Sequence, residues 1–115
     1  MERDEILGLL DDIKSRNLLV IVEGPKDVRA LKALGVSNII YLKKPLFAVV
    51  EEVAGMVKEV VLLTDLDEEG KKLYHRLFVD LQKHGVKVDN RLRELLFKTD
   101  LRQIEGLSSY LETIG

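Results

Sequence analysis

Three short apolar runs decide what this chain can become: "LLVIV" at 18–22, "NIIYL" at 38–42 and "VVLLT" at 60–64. Each has the length of a strand and is too short for a buried helix. The segments between them carry apolar residues at helical spacing. "GPKDVRALKALG" places Val28, Leu31 and Leu34 on one face, opens on Pro25 and stops at Gly35. "PLFAVVEEVAGMVK" (45–58) opens on Pro45, and "DEEGKKLYHRLFVDLQKHG" (67–85) turns Leu73, Leu77 and Leu81 inward and ends at Gly85. A fourth short run, "VKV" (86–88), follows. Strands that are apolar on both faces and alternate with helices predict an α/β fold. The expected sheet is four-stranded, mainly parallel and covered by helices on both faces.

The ends of the chain read as helices. Ile6, Leu9, Leu10 and Ile13 make a stripe over 2–16, with Asn17 as the stop. Leu92, Leu95 and Leu96 mark a helix after the fourth strand. Leu101, Ile104, Leu107 and Leu111 mark another, over "LRQIEGLSSYLETIG", docked on the sheet. The expectation is one domain over residues 1–115, with a core at about 18–88 and a helical extension at 90–114. There is no cysteine, which excludes disulfides and thiolate chemistry. "MERDEILGLL" lacks a signal-peptide pattern and no apolar run reaches membrane-span length, so a cytoplasmic protein without a membrane partner is expected.

Net charge is only −2, but its distribution is uneven. Residues 24–44 are basic, 45–70 are acidic and 71–98 are basic again. The acidity peaks in "VVLLTDLDEEG", where Asp65, Asp67, Glu68 and Glu69 fall within five positions at the end of a buried strand. The first strand ends in "VIVEGPKD", with Glu23 at the matching place. Parallel strands joined by right-handed crossovers all end on one edge of the sheet, where sites in open α/β folds form. If the first and third strands are neighbours, Glu23, Asp65 and Asp67 converge. Two like charges about 4 Å apart repel by about 4 kcal/mol at an effective dielectric of about 20. A hard divalent cation relieves that repulsion. The plainer alternative is that Asp67 caps the next helix while Glu68 and Glu69 suit its first turn. That accounts for those three acids but for neither Asp65 nor Glu23.

At these residues the chain resembles the Toprim domain. That domain is shared by type IA and type II topoisomerases, bacterial primases, overcoming-lysogenisation-defect nucleases, recombination mediators and the 5S ribosomal RNA maturation ribonuclease. "VEGPKD" supplies Glu23, Gly24 and Asp27 of the first signature, and "TDLDEEG" supplies Asp65, Asp67 and Gly70 of the second. The resemblance implies that Asp65 and Asp67 coordinate Mg²⁺, with Mn²⁺ as a substitute. Glu23 is implied as general acid/base or further ligand, and Asp27 as an orienting residue. Gly24 and Gly70 are implied to keep backbone clear of the site. Size and the stretch "VEGPKDVRALKALGV" make the chain most similar to the stand-alone group related to the 5S rRNA maturation ribonuclease.

The implied activity is Mg²⁺-dependent phosphoryl transfer on nucleic acid, as an endonuclease on structured RNA, with RNA favoured over DNA. The alternative is a non-catalytic metal- and nucleic-acid-binding module in RNA processing or DNA repair. Lys43 and Lys44 follow the second strand, and Lys26, Arg29, Lys71 and Lys72 open helices on the same edge, so phosphate contact is expected of Lys43, Lys44, Lys26 and Lys71 above all. Self-association or a partner protein would add surface for substrate. Tyr41, Tyr74 and Tyr110 read as packing residues, and His75 and His84 as surface residues.

Overall fold

The computed structural model describes residues 2–114. Its four strands are β1 (Leu19–Val22), β2 (Ile39–Tyr41), β3 (Glu59–Leu63) and β4 (Lys87–Asp89). They form one sheet in the order β2-β1-β3-β4, and every pairing is parallel. β1 and β3 run side by side with Val22 opposite Leu63.

Six helices surround this sheet: α1 (Glu2–Ser15), α2 (Pro25–Ala33), α3 (Leu46–Met56), α4 (Glu68–Lys83), α5 (Arg91–Leu96) and α6 (Leu107–Thr113). No helix among the described residues is long and apolar enough to cross a membrane. The two-residue period of the strands splits the core in two. Val20, Val22, Val61 and Leu63 face α1, α2, α5 and α6. Leu19, Ile21, Val60 and Leu62 face α3 and α4, meeting Val49, Val50, Val53, Leu77 and Leu81. Both faces of each central strand are therefore dry, which is why these runs show no polar alternation.

Turn chemistry matches the breaks. Gly35 and Gly85 take positive φ (88° and 77°) just after α2 and α4, and Asn17 does so (49°) after α1. The expected four-stranded parallel sheet is present. Three finer expectations need correction. β4 starts one residue later than "VKV", so that buried Asp89 ends it. Leu73 is only half-buried, because the inward stripe of α4 runs through Gly70, Leu77 and Leu81, with Tyr74 and Phe78 packed beside it. The C-terminal stretch is not one helix. Residues 101–103 take no regular structure, Ile104–Gly106 form a 3₁₀ turn, and only Leu107–Thr113 is α-helical. Helical spacing was misleading here because Ile104, Leu107 and Leu111 are all buried in one layer, although the backbone beneath them changes conformation.

Candidate functional site

The strand order reverses at β1. The chain leaves β1 toward β2 on one side and returns to β3 on the other, so α2 and α3 lie on opposite faces. The crevice beyond the C-terminal ends of β1 and β3 is thus the topological switch point, where loops splay apart and ligands bind in such sheets. Glu23 lies one residue past β1 and Asp65 two past β3.

Backbone N–H groups fix the acids. Glu23 Oε2 accepts from the Asp65 N–H at 2.6 Å, tying the two strand ends together. Asp65 Oδ1 accepts from the Ile104 N–H at 2.9 Å. Asp67 is the N-cap of α4, its Oδ1 accepting from the Gly70 N–H at 2.8 Å. Asp27, only 6% exposed, turns back so that its Oδ2 accepts from the Gly24 N–H at 3.0 Å, closing the turn into α2. The capping alternative for Asp67 and the orienting role for Asp27 thus both have a geometric counterpart.

This arrangement is electrostatically tense. Burial, followed by the neighbouring charges of Asp65, Asp67 and Asp27, pushes the Glu23 carboxyl up from its ordinary value. Burial also raises Asp65, with Asp67 and Glu105 adding to the effect, and raises Asp27, with Asp65 and Glu105 adding. Among the described residues none of Glu23, Asp27, Asp65 or Asp67 makes an ion pair. An all-oxygen donor set with excess negative charge suits a hard cation such as Mg²⁺. Among the described residues no three carboxylate or imidazole side chains stand close enough together to enclose an ion. Each acid uses one carboxylate oxygen on a backbone N–H.

Two open cavities flank the acids. One, of about 480 Å³, is lined by Glu23, Gly24, Asp27, Asp65, Lys26 and Arg29, together with Gln103 and Glu105. The other, of about 610 Å³, runs from Asp67 along residues 100–113 and shares Gln103 and Glu105. The acids sit where the two meet. Lys26 and Arg29 are therefore basic residues beside Glu23 and Asp65, and Arg102 lines the second cavity with Asp67. Lys43 and Lys44 lie elsewhere, at the β2 edge: Lys43 Nζ is over the Tyr41 ring at 5.3 Å, and Lys44 is paired with Glu52. Lys71 is paired with Glu68 at 3.4 Å and lies over the Phe97 ring.

The two motif glycines differ. A Cβ on Gly70 would lie 2.0 Å from the Asp65 carbonyl oxygen, so only glycine lets α4 start this close to the end of β3. A Cβ on Gly24 would meet nothing within 4 Å, and the Gly24 backbone is extended. Packing does not demand glycine there; the position borders the acidic cavity instead.

Sequence reasoning missed two contributors, Glu105 and Arg93. Glu105 arrives from the C-terminal segment, which crosses the strand ends when the Leu66 N–H donates to Arg102 O at 2.8 Å; Gln103, a residue the sequence already suggested could reach a ligand, arrives with it. Arg93 lies buried under the Thr64–Gly70 loop. Its signal was a charge amid leucines in "RLRELL", where a solvated helix face was the easier reading.

Comparisons with known proteins agree with this geometry. Residues 18–93 match the Toprim domain, a span that includes both acidic strand ends and stops at Arg93. A UPF0292 protein of Methanocaldococcus jannaschii is 36% identical, covering 96% of this chain and 96% of its own. One from Pyrococcus abyssi is 38% identical, covering 87% of this chain and 79% of its own. Among solved structures, a protein from Aquifex aeolicus superposes with a TM-score of 0.79 at 32% identity, covering 89% of this chain and 94% of that one. The Aquifex aeolicus primase, in its zinc-binding and RNA polymerase domains, superposes with a TM-score of 0.56 at 22% identity, over 92% of this chain and 28% of that one. That last likeness is one of fold. With the acidic strand ends, the parallel sheet and near-full-length relatives all in agreement, this chain belongs to the Toprim domain family and groups with the UPF0292 proteins.

Proposed function

We propose that the protein is a Mg²⁺-dependent phosphoryl-transfer enzyme acting on nucleic acid, as an endonuclease on structured RNA in the manner of the 5S rRNA maturation ribonuclease. The observation that carries this is that Glu23, Asp65 and Asp67 lie together at the switch point with no ion-pair partner among the described residues, Lys26 and Arg29 sharing the cavity of Glu23 and Asp65. Asp65 and Asp67 would hold Mg²⁺, which stabilises charge on non-bridging phosphate oxygens when bound. Glu23, whose carboxyl is raised by burial and by its acidic neighbours, is suited to hold a proton and pass it at Oε1, the oxygen left free by the Asp65 N–H. Lys26 and Arg29 supply positive charge for the flanking phosphates. Gly24, with no Cβ, lets a phosphate approach the start of α2.

A second reading is a module that binds metal and nucleic acid without cutting. It is favoured by the hydrogen bonds that already engage Glu23 and Asp65. Titration of Mn²⁺ into the wild type and into Asp65→Asn/Asp67→Asn, followed calorimetrically, tests the metal site; binding is expected in the first and absent in the second. Cleavage of structured RNAs and DNAs by the wild type but not by Glu23→Gln, with nucleic-acid binding retained, is the result expected of an enzyme. Binding without cleavage in both proteins would select the module.

A further inference from the structure

Arg93 is 5% exposed, the most deeply buried charged residue described. Its guanidinium lies over the rings of Tyr74, 4.2 Å from the centroid, and Phe97, at 4.7 Å. Nε–H donates to Thr64 O at 3.3 Å, and Nη2 donates to Asp65 O at 3.0 Å and to Gly70 O at 3.5 Å. Among the described residues Arg93 has no carboxylate partner within ion-pair distance. Burying a guanidinium without an acid is costly, and this fold spends it entirely on one loop, from the end of β3 to the start of α4.

That loop carries Asp65 and Asp67. Its carbonyls are drawn down to Arg93 at both ends, while the Thr64 hydroxyl donates to Gly70 O at 2.7 Å. The Asp65 peptide is consequently held on every side: N–H by Glu23, C=O by Arg93 and Oδ1 by the Ile104 N–H. Among the described residues, Oδ2 of Asp65 has no hydrogen-bond partner.

We propose that Arg93 is a positioning residue for the acidic site: held against the rings of Tyr74 and Phe97, it sets the backbone of the Thr64–Gly70 loop and thereby presents Asp65 and Asp67 to a divalent cation. This rests on the reading that these acids bind metal. The planar fork and the stacking both matter, so lysine cannot substitute. The sign of the effect separates positioning from simple electrostatics. The Arg93 charge repels a nearby cation, so electrostatics alone makes Arg93→Met bind metal more tightly and leaves Arg93→Lys unchanged. Positioning makes both bind more weakly.

The experiment is calorimetric titration of Mn²⁺ into the full chain as wild type, Asp65→Asn/Asp67→Asn, Arg93→Lys and Arg93→Met. Each titration is run well below the variant's melting temperature, with circular dichroism to verify folding. The expected result is binding to the wild type, none to the double aspartate variant, and affinity weakened about tenfold in both Arg93 variants, in the range seen when groups that orient metal ligands are removed. A merely structural arginine would lower the melting temperature and leave the affinity of the folded protein unchanged. Wild-type affinity in either folded Arg93 variant, or tighter binding by Arg93→Met, overturns the proposal. If neither folds, Phe97→Leu decides at a half-buried position: weaker binding supports the clamp and unchanged binding overturns it. Failure of the wild type itself to bind Mn²⁺ overturns the metal reading and this inference with it, a result distinct from failure of the Arg93 variants alone.

Discussion

Gly70 is the residue whose identity is most sharply set by its neighbours. Nothing about its backbone dihedrals demands glycine; the Asp65 carbonyl does, because a methyl group would lie 2.0 Å from it. Relief would have to come from backbone, either the end of β3 or the first turn of α4. Gly70→Ala is therefore expected to cost about 3 kcal/mol, the upper end for overpacking, and to lower the melting temperature by roughly 10 °C or more. Gly24→Ser, at an extended N-cap position with open space around it, should leave stability nearly unchanged, since serine is a good N-cap. Thermal melts of the two variants check the contrast. The motif shows both glycines equally well, but their different reasons emerge only from what lies opposite each Cβ.

The acids also give stability an unusual pH dependence. Glu23, Asp27 and Asp65 have carboxyls raised in the fold, so each destabilises it when ionised. Their effect appears as pH rises through and above their ordinary values of 4.5, 3.8 and 3.8. Asp89 is the opposite case. Hydrogen bonds from Arg91 hold its carboxyl below the ordinary 3.8, so its stabilisation is complete above that value and is lost as pH falls below it. Without divalent cation the melting temperature is expected to peak in mild acid rather than at neutrality. Asp27→Asn should raise it at pH 7, with the advantage vanishing near pH 4. Added Mg²⁺ should move the wild-type optimum toward neutral pH, since a ligand bound only by the folded state stabilises it. Melts across pH with and without Mg²⁺ check all three.

At the level of elements, the C-terminal segment has two roles. Ile104 and Leu107 are fully buried and Leu111 nearly so, in the layer that also contains Val20, Val22 and Leu63. The same segment passes over the strand ends, where Ile104 N–H caps Asp65 and Arg102 O receives the Leu66 N–H. Burial of three such side chains contributes about 2 kcal/mol each, comparable to the whole stability of a small domain, about 5–15 kcal/mol. A chain ending at Thr99 is expected not to fold cooperatively, as followed by urea denaturation. Ile104→Ala in the full chain should cost about 2–5 kcal/mol. The apolar spacing of these residues identified what is buried but not the backbone path, because a 3₁₀ turn and an irregular approach can face the same layer as a helix.

For the whole molecule, the decisive feature is the switch between β1 and β3, which opens a crevice bordered by Lys26 and Arg29 as well as by the acids. With a net charge of −2, the proposed nucleic-acid binding rests on this local field rather than on overall charge. Charge reversal of Lys26 and Arg29 is expected to weaken binding of a structured RNA by tenfold or more, roughly 1.4 kcal/mol, and to flatten its salt dependence. Reversal of Lys43 and Lys44 should matter less, since Lys44 is already paired with Glu52 and neither borders the acidic cavities. Binding assays over a range of salt concentrations distinguish the two pairs.

What the sequence by itself determined was the layered α/β plan and the strand-end acids. Doubly apolar runs can be satisfied only inside a two-faced parallel sheet, and a carboxylate directly after such a run must emerge at its C-terminal edge. What only the tertiary structure decided was which distant groups meet those acids. Arg93, 28 residues beyond Asp65, and Ile104, 39 residues beyond it, reach the loop through packing of α5 and the C-terminal segment. Periodicity reports which face of an element is buried. It does not report which carbonyl a buried guanidinium will find, because that depends on how separate elements settle against one another across a shared core.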